Sequence, residues 1–341
     1  MNITNLKNTF IIAEAGVNHN GDLEEAHKLI DIAYACKADA VKFQTFKPEE
    51  ISSKYVENVD YIKGRISQSN IEMLNSLALS YNQFRILKEY ADKKGIIFLS
   101  TPDGLDSLNF LVDDLNLEII KIGSTEITNI KFLEQIGLKN KICILSTGLS
   151  NLNEVEKAYS VLKKSCNNEI IVLQCTSDYP AKDDEVNIRA MLTIQKKIKC
   201  EVGFSDHSLG FEASIAAVSL GAKVIEKHIT SDKNMIGPDH KASMDKDEFY
   251  NFVKSIRKTE KILGNGIKIA TNSELKNISG IRRGIVAARK IKKNTIIQEQ
   301  DLDFKRPFLG INPDETSKML GKKIKVDLEI DQPIVWQYFE N

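Results

Sequence analysis

The sequence predicts an α/β protein in which a (β/α)8 barrel, or TIM barrel, is followed by a small β-rich C-terminal module. Short β-branched runs alternate with helical segments eight times, which matches the repeat of this barrel. The chain has 341 residues, more than the about 250 of a typical α/β barrel, and the alternation stops before its end. We therefore assign residues 1–265 to the barrel, 266–281 to a linker and 282–341 to the module.

The eight predicted strands are apolar runs rich in β-branched residues, bounded by polar or turn-forming residues. They lie near residues 10–15, 40–45, 96–100, 119–123, 142–146, 170–175, 200–205 and 223–228. The segments between them carry helical periodicity, as with Ala26, Leu29 and Ala33 in the first. Each strand is thus followed by a predicted helix.

Two segments depart from this regular alternation. The connection from Lys47 to about Leu79 is the longest, and it is polar and rich in Ser, Asn and Lys. Because long loops in compact domains are often functional, we expect it to form part of an active-site mouth. From Arg282 the chain reads as short strands and turns. A module of this size has a marginal core, so we expect it to rest against a barrel, its own or a partner's.

The composition excludes several classes of function. Lys plus Arg equals Asp plus Glu at 47 each, and without a basic block nothing supports binding to nucleic acid or to an anionic membrane. We find neither a leader pattern nor a stretch near the roughly 20 apolar residues that cross a bilayer. The five cysteines are scattered and form no CxxC, which argues against disulfides and a zinc knuckle. These features predict a cytoplasmic protein.

The carboxyl ends of the predicted strands are unusually polar. In a (β/α)8 barrel these ends converge on one face, where catalytic residues collect. The polar residues at or just after the strand ends are Glu14, Lys42, Gln44, Thr101, Lys121, Ser124, Glu126, Thr147, Ser177, Tyr179, Ser205, His207, Lys227 and His228. The sequence therefore predicts a single polar site at this face.

Three of these residues, Lys42, Lys121 and Lys227, lie within predicted strands. A buried lysine is costly without a counter-charge, so together they imply a strongly negative ligand whose hydrogen bonds the Ser and Thr hydroxyls complete. Phosphate is the obvious candidate.

The histidines His207 and His228 end neighbouring strands, and imidazoles that converge in this way commonly share a metal. Two imidazoles leave most positions of an octahedral ion to water and substrate oxygen, which favours Mn²⁺ or Mg²⁺ as a Lewis acid over closed tetrahedral Zn²⁺. Glu14 or Glu126 could then move a proton or position water.

Structural roles stay open beside these catalytic ones. Glu126 could instead cap a helix. Thr147 could be no more than part of a turn, and Tyr179 could serve simply to pack a loop. We expect His240 to be a solvated loop residue and His27 to be structural or on the surface.

Several motifs, taken in order and spacing, resemble the N-acetylneuraminate (sialic acid) synthase family, which includes synthases of related nonulosonic acids such as legionaminic acid. The resemblance covers essentially the whole chain and is closer to the sialic and legionaminic acid branch than to the pseudaminic one. The motifs are Ile12-Ala13-Glu14-Ala15-Gly16-Val17-Asn18-His19-Asn20-Gly21, Val41-Lys42-Phe43-Gln44-Thr45, Leu99-Ser100-Thr101-Pro102, Cys175-Thr176-Ser177-Asp178-Tyr179-Pro180, Gly203-Phe204-Ser205-Asp206-His207-Ser208, Glu226-Lys227-His228, Gly237-Pro238-Asp239-His240-Lys241-Ala242-Ser243 and Lys305-Arg306-Pro307.

This resemblance implies a transferase that condenses phosphoenolpyruvate with the open-chain aldehyde of an N-acylated mannosamine-type sugar. The sugar would be N-acetylmannosamine or 2,4-diacetamido-2,4,6-trideoxymannose, and the products a sialic or legionaminic acid and phosphate. By motif, His207 and His228 would hold Mn²⁺, and Glu14 would act as acid/base or orient water. Phosphoenolpyruvate would meet Lys42, Thr101, Lys121, Ser124, Thr147, Ser177 and Ser205. The sugar would meet Gln44, Glu126, Tyr179 and Asp239.

The C-terminal module resembles the antifreeze-like (SAF) domain. In this family it reaches across a domain-swapped homodimer and places an arginine over the neighbour's sugar, and Arg306 is the matching position. The chain departs from the family's usual residues at Gly123, at Asp103-Gly104 and at Phe308. These changes alter the surroundings of the sugar pocket and leave the identity of the sugar open.

Two other functions fit parts of the pattern. A metal-dependent hydrolase could use the same barrel, although the first strand lacks the His-x-His of the common amidohydrolase site. A carbohydrate-binding or ice-binding protein without catalysis would fit the antifreeze-like tail, but it would not require the two histidines and Glu14.

Overall fold

The computed structural model of the protein describes residues 3–53 and 70–340. These residues form two compact units, which divide after Gly264. Each unit has a hydrophobic core of its own.

The first unit contains all eight predicted strands. They are β1 (Phe10–Gly16), β2 (Ala40–Thr45), β3 (Ile97–Pro102), β4 (Ile119–Ile122), β5 (Ile142–Ser146), β6 (Ile170–Cys175), β7 (Glu201–Asp206) and β8 (Val224–His228). Neighbouring strands pair in parallel in the order β3-β2-β1-β8-β7-β6-β5-β4. Since the first strand pairs with the last, and β3 and β4 at the two ends of this order lie side by side, the sheet curls into the predicted (β/α)8 barrel.

Helices surround the strands. They are α1 (Leu23–Ala35), α2 (Pro48–Ile51), α3 (Asn70–Leu77), α4 (Tyr81–Lys94), α5 (Leu105–Asn109), α6 (Ile130–Leu138), α7 (Leu152–Ser165), α8 (Arg189–Ile198), α9 (Glu212–Ser219) and α10 (Lys246–Leu263). Local sequence signals explain where they begin. Ser80 and Gln83 form a capping box at the start of α4, and Asp245 and Glu248 form another at the start of α10.

The inside of the barrel is layered. Side chains on a strand alternate between its two faces, so every second residue points inward. Towards the amino ends of the strands, the inward residues form an apolar cluster that includes Phe10, Ile12, Ile144, Leu173 and Val224. Towards the carboxyl ends the inward positions become polar. The apolar layers close the bottom of the barrel, and the polar layer is its upper surface.

The second unit contains α11 (Asn272–Ile281), α12 (Thr316–Met319) and the antiparallel strands β9 (Gly284–Ala287) and β10 (Leu302–Lys305). Isolated bridges such as the one between Ile291 and Leu328 extend its β structure. A small apolar core forms around Ile285, Met319 and Ile334. The predicted linker, 266–281, is therefore helical over much of its length.

Across residues 3–53 and 70–340, none of the helices combines the length and apolar character that a membrane crossing requires.

Gly203 lies on β7 at a point where the barrel leaves no room for a side chain. A Cβ there would lie 2.4 Å from the Val224 carbonyl oxygen and 2.7 Å from Leu173 Cδ2. We expect Gly203→Ala to destabilise the barrel by about 1–3 kcal/mol or more, because backbone cannot move aside cheaply. Thermal unfolding followed by circular dichroism checks this.

Gly280→Ala is the matched control. Gly280 lies in α11, and a Cβ added there would meet no atom within 4 Å, so alanine should be neutral or stabilise by up to about 1 kcal/mol. An unchanged melting temperature for Gly203→Ala would contradict the close packing of this layer.

Candidate active site

A cavity of about 630 Å³ opens at the carboxyl ends of the strands, within the range of small-molecule sites. Most of the predicted site residues line it. They are Glu14, Lys42, Gln44, Thr101, Lys121, Ser124, Glu126, Tyr179, Ser205, His207, His228 and Asp239. The barrel topology thus gathers residues from distant parts of the sequence at one place.

Four charged side chains form the floor of this cavity, and we call Glu14, Lys42, Lys121 and Glu226 the charged quartet. Lys42 Nζ lies 2.9 Å from Glu14 Oε2 and 3.7 Å from Glu226 Oε2. Lys121 Nζ lies 3.6 Å from Glu226 Oε1. All four side chains are at most 5% exposed, so each charge depends on its neighbours for stability.

Hydroxyl groups add hydrogen bonds to the quartet. Lys121 Nζ donates to Ser146 Oγ at 2.6 Å, and Lys42 Nζ donates to Thr101 Oγ1 at 3.1 Å. Ser205 Oγ donates to Glu226 Oε1 at 2.9 Å. Ammonium and hydroxyl groups are the donors that bind phosphate and carboxylate oxygens, so this floor can hold an anion.

The pKa values of the quartet residues Glu14, Lys121 and Glu226 are shifted from their ordinary values. Burial raises the pKa of Glu14 to about 7, although Lys42 acts in the opposite direction. Burial lowers the pKa of Lys121. Burial also opposes the charge of Glu226, but Lys121 and Lys42 outweigh it and lower the pKa of that carboxyl group. Glu14 is therefore the quartet carboxyl group suited to exchange a proton near neutral pH.

A bulge at the end of β1 makes room for these groups. The pairing with β2 slips between Glu14 and Gly16, and Gly16 has a φ of +52°. A Cβ at Gly16 would lie 3.3 Å from Glu14 Oε1 and 3.4 Å from both Gln44 Nε2 and His228 Cε1. Gln44 Nε2 donates to Glu14 Oε1 at 3.1 Å. Glycine thus keeps the carboxyl group and the imidazole close together.

Glu226 lines the cavity but was not among the predicted site residues. Its neighbour Lys227 was predicted to lie in the site. Lys227 does not line the cavity. Its Nζ donates to the Ser208 carbonyl oxygen and lies 3.1 Å from Asp206 Oδ2, outside the barrel interior. The prediction that Lys227 joins Lys42 in the anion site is wrong, because Lys227 and His228 point to opposite faces of β8. The same alternation would have identified Glu226.

A similar alternation separates Ser146, the last residue of β5, from Thr147, which follows the strand. Ser146 lines the cavity, whereas Thr147 Oγ1 donates to the Leu173 carbonyl oxygen and lines an adjacent cavity of about 890 Å³. Ser177 also lines that second cavity, and its Oγ lies 3.1 Å from Ser124 Oγ. The structure therefore brings Ser177 to the edge of the site through Ser124, and it gives the inward position on β5 to Ser146.

The two predicted metal ligands lie side by side. The rings of His207 and His228 are 5.6 Å apart between centroids, and the Tyr179 ring lies 4.1 Å from that of His207. Burial lowers the pKa of His207 to about 4 and, together with the nearby His207, lowers the pKa of His228 well below its ordinary value. Both imidazoles are therefore neutral near pH 7, as metal binding requires.

Hydrogen bonds show which nitrogens are available. His207 Nδ1 lies 2.7 Å from the Thr176 carbonyl oxygen, and since a carbonyl only accepts, Nδ1 carries the proton. The lone pair of the neutral ring is then on Nε2. Among the described residues His228 Nδ1 has no hydrogen-bond partner despite its burial. In the part of the chain that the structure describes, no group of three or more His, Cys, Asp or Glu side chains could hold a metal.

The outer wall of the cavity comes from the connections above the strands. In the long connection after β2, α2 and α3 supply Ile51, Met73 and Leu77, so its described ends form part of the mouth as predicted. Residues 54–69 of this connection lie outside the described residues. Leu105 and Phe132 also line this wall. The cavity therefore has a charged floor and an outer wall that includes several apolar side chains.

Asp103, directly after β3, is a half-buried cavity residue that the sequence analysis noted only as a departure from the family. Burial raises its pKa to about 7, and the Glu126 carboxylate adds to this effect. Asn129 Nδ2 donates to Glu126 Oε2 at 2.7 Å. These acidic groups give the wall hydrogen-bonding positions near its apolar residues.

Three other residues from the sequence analysis belong to different parts of the chain. Arg306 follows β10 in the second unit and is exposed. His27 packs its ring against Tyr90, in agreement with a structural role. His240 is fully buried and hydrogen-bonded, so its expected position in a solvated loop is wrong.

The chain is similar to known proteins over nearly its whole length. A model of the NeuB family matches residues 29–268, and a model of the SAF domain matches residues 282–340. The N,N'-diacetyllegionaminic acid synthase of Campylobacter jejuni is 46% identical over 321 residues, which cover 93% of this chain and 96% of that protein. The synthase of the same name from Legionella pneumophila is 42% identical over 337 residues, covering 97% and 94%.

A solved structure shows the same similarity. The N-acetylneuraminic acid (sialic acid) synthetase of Leptospira borgpetersenii, crystallised with citrate, is 37% identical to this chain with a TM-score of 0.69. The match covers 80% of this chain and 90% of that one.

We expect Glu226→Gln to destabilise the protein by about 3–5 kcal/mol, because it removes the carboxylate that faces both buried lysines. An added anion should compensate. Inorganic phosphate in the millimolar range should therefore raise the melting temperature of Glu226→Gln more than that of the unmodified protein.

Asp206→Asn is the matched control, since it breaks the buried pair with Lys227 away from the cavity. Phosphate should not compensate for this loss. Equal phosphate-induced shifts in Glu226→Gln and the unmodified protein would contradict an anion site on the quartet.

Proposed function

The chain belongs to the NeuB family and carries a SAF domain, and from this premise we propose that it is a nonulosonic acid synthase. It condenses phosphoenolpyruvate with an N-acylated mannosamine-type sugar and releases phosphate. The observation that carries the proposal is the charged quartet beneath two neutral histidines in one cavity. A dianionic phosphate and a carboxylate need cationic donors, and an aldehyde is activated by a Lewis acid, which the two histidines would hold beside them.

Phosphoenolpyruvate fits the floor of the cavity. Its phosphate and carboxylate groups match Lys42 and Lys121, and the hydroxyls of Ser146, Thr101 and Ser205 supply further hydrogen bonds. The quartet carboxylates pair with these lysines in the described state, so the bound anion shares donors with them. Ser124, with Ser177 behind it, extends the donor set at the edge of the site.

A divalent cation, Mn²⁺ or Mg²⁺, fits the two histidines. His207 holds its Nδ1 proton on a backbone carbonyl, and His228 retains a buried nitrogen without a partner among the described residues. These two imidazoles would hold the ion, with water or substrate oxygens at its other positions. When bound, the cation supplies Lewis acidity to the sugar aldehyde. The neutral state of both rings keeps their lone pairs ready for this role.

Glu14 is placed to handle the proton transfers. The reaction forms one carbon–carbon bond between the phosphoenolpyruvate methylene carbon and the aldehyde, consumes one water and releases inorganic phosphate. A carboxyl group with a pKa near 7 can orient that water and accept its proton. Its hydrogen bond from Gln44 holds the carboxyl group towards the cavity.

The outer wall is the proposed sugar site. Glu126, Tyr179 and Asp239 of this wall, together with Gln44 at the end of β2, offer polar contacts for hydroxyl and amide groups. The apolar residues of the same wall suit methyl groups, which supports 2,4-diacetamido-2,4,6-trideoxymannose over N-acetylmannosamine as the preferred sugar. The similarity to two N,N'-diacetyllegionaminic acid synthases also supports this choice.

We also propose a domain-swapped homodimer in which Arg306 of each subunit reaches the sugar of the other. The SAF domain match and the exposed position of Arg306 support this proposal. A cytoplasmic location agrees with the cysteines, all five of which are free thiols as in proteins of a reducing compartment.

The proposed activity can be tested directly. Protein stripped with a chelator, then supplied with Mn²⁺, phosphoenolpyruvate and each candidate sugar, should release phosphate only when sugar is present. The doubly acylated sugar should react faster, and mass spectrometry should show the matching nonulosonic acid. Failure to release phosphate with any N-acylmannosamine-type sugar would overturn the proposed function.

His207→Ala tests the proposed metal ligand in the same assay. It should lower turnover by about 100-fold or more and abolish stoichiometric Mn²⁺ binding measured by calorimetry, since one imidazole cannot retain the ion. His27→Ala, outside the cavity, is the control and should bind Mn²⁺ normally. Normal turnover and full Mn²⁺ occupancy in His207→Ala would remove it from the site.

Subunit mixing tests the swapped arginine. Arg306→Ala should raise the KM for sugar by about 10-fold or more while leaving the KM for phosphoenolpyruvate nearly unchanged. The assay uses a sugar concentration well below the KM, where both variants are nearly inactive. In a swapped dimer, mixing His207→Ala with Arg306→Ala chains in equal amounts then rebuilds one complete site per mixed dimer and restores about a quarter of normal activity. If mixing the two variants restores no activity, Arg306 serves the active site of its own subunit and the swapped arrangement is wrong.

A further inference from the structure

Two polar residues outside the cavity join the loops that surround it. Asn20 belongs to the turn after β1, and His240 belongs to the loop between β8 and α10. His240 Nε2 lies 3.2 Å from Asn20 Oδ1, and His240 Nδ1 lies 2.8 Å from Thr230 Oγ1. His240 and Thr230 are fully buried. Neither Asn20 nor His240 lines the cavity.

The hydrogen bonds define the donors in this contact. Asn20 Nδ2 donates to the Ile236 carbonyl oxygen at 3.0 Å, which fixes the amide so that Oδ1 faces the histidine. An amide oxygen only accepts, so His240 Nε2 carries the proton. Burial lowers the pKa of His240, and in the neutral ring Nδ1 accepts from the Thr230 hydroxyl. Asn20 therefore bonds to its partner loop at two points.

A second set of contacts links the same turn to Asp239, one of the proposed sugar contacts. Asn18 Nδ2 donates to the Ile229 carbonyl oxygen at 2.9 Å and to Ser243 Oγ at 2.8 Å. Ser243 Oγ in turn donates to the Asp239 carbonyl oxygen at 2.7 Å. The backbone of Asp239 is thus held on both sides, by its own neighbour His240 and by Ser243.

The turn after β1 also contacts α3, on the opposite side. Gly21 has a φ of +76°, and a Cβ there would lie 2.3 Å from the Ser76 carbonyl oxygen. This close approach places α3 directly on the turn. Met73 and Leu77 of α3 pack with Val17, which precedes the turn, and all three line the cavity.

We propose that Asn20 and His240 form a latch that holds the β8–α10 loop and α3 together as one outer wall of the cavity. Asn20 and His240 are positioning residues, since they act through Asp239 and α3. The assignment of this wall to the sugar rests on the proposed function. The latch itself rests on the contacts between the three segments.

The physical gain is preorganisation of the proposed sugar site. The quartet lies on strands that the barrel ladder already fixes, whereas the outer wall lies on loops that must be ordered at an entropic cost. A latch that orders these loops in advance lowers the cost of binding. Its loss should therefore weaken sugar binding and spare phosphoenolpyruvate binding.

Two variants break the latch from opposite sides. His240→Phe keeps an aromatic ring but removes both hydrogen bonds, and Asn20→Gly removes the amide at a residue whose φ of +49° suits glycine. Leu162→Ala, in a buried position on α7 away from the latch, is the control for general loss of stability.

The first measurement is amide hydrogen exchange of the protein without substrates. Both latch variants should exchange faster in residues 232–243 and also in α3, while Leu162→Ala should leave both regions unchanged. Faster exchange confined to the loop that carries the substitution would overturn the latch. Hydrogen exchange tests the latch without any substrate. If the protein releases no phosphate, the proposed function is overturned, but the exchange result for the latch still stands.

The second measurement is steady-state kinetics. Each latch variant should raise the KM for sugar about 10-fold and change the KM for phosphoenolpyruvate less than about twofold. Leu162→Ala should change neither constant. Equal increases in both constants, or no increase in either, would overturn the positioning role.

Discussion

Glu14, Lys42, Lys121 and Glu226 are buried together, and none of these four charges is stable at the centre of a barrel without the others. The layers around them follow from this requirement. Apolar side chains such as Ile12 close the barrel beneath the quartet, and hydroxyl groups complete its hydrogen bonds. The site is therefore electrostatically complete before any ligand binds, and an anion that enters finds donors already in place.

The fold could be predicted from the sequence because each strand is a short apolar run between polar segments, and the pattern recurs eight times. The site could be predicted in large part for a related reason, since the carboxyl ends of parallel strands meet at one face. Where the prediction failed, it treated neighbouring residues as equivalent. Lys227 and Thr147 point away from the cavity, and Glu226 and Ser146 point into it. Applying the two-residue period of a strand would have separated these pairs.

Other features depend on contacts between distant segments and could not be read from local pattern. His240 lies in a polar, glycine- and proline-containing stretch that is typical of an exposed loop, yet Thr230 and Asn20 bury it. The raised pKa of Asp103 depends on how deeply the turn after β3 is buried. The helix α11 begins with a capping box at Thr271 and buries none of its residues, in a stretch that was predicted to be a linker because the alternation of strands and helices stops before it.

Among the described residues, the apolar layers at the bottom of the barrel close the cavity towards the amino ends of the strands. Two ligands that enter this cavity from the same side cannot pass each other freely, and a sugar bound above the floor would block access to the floor. For the proposed reaction, we therefore expect an ordered mechanism in which phosphoenolpyruvate binds before the sugar.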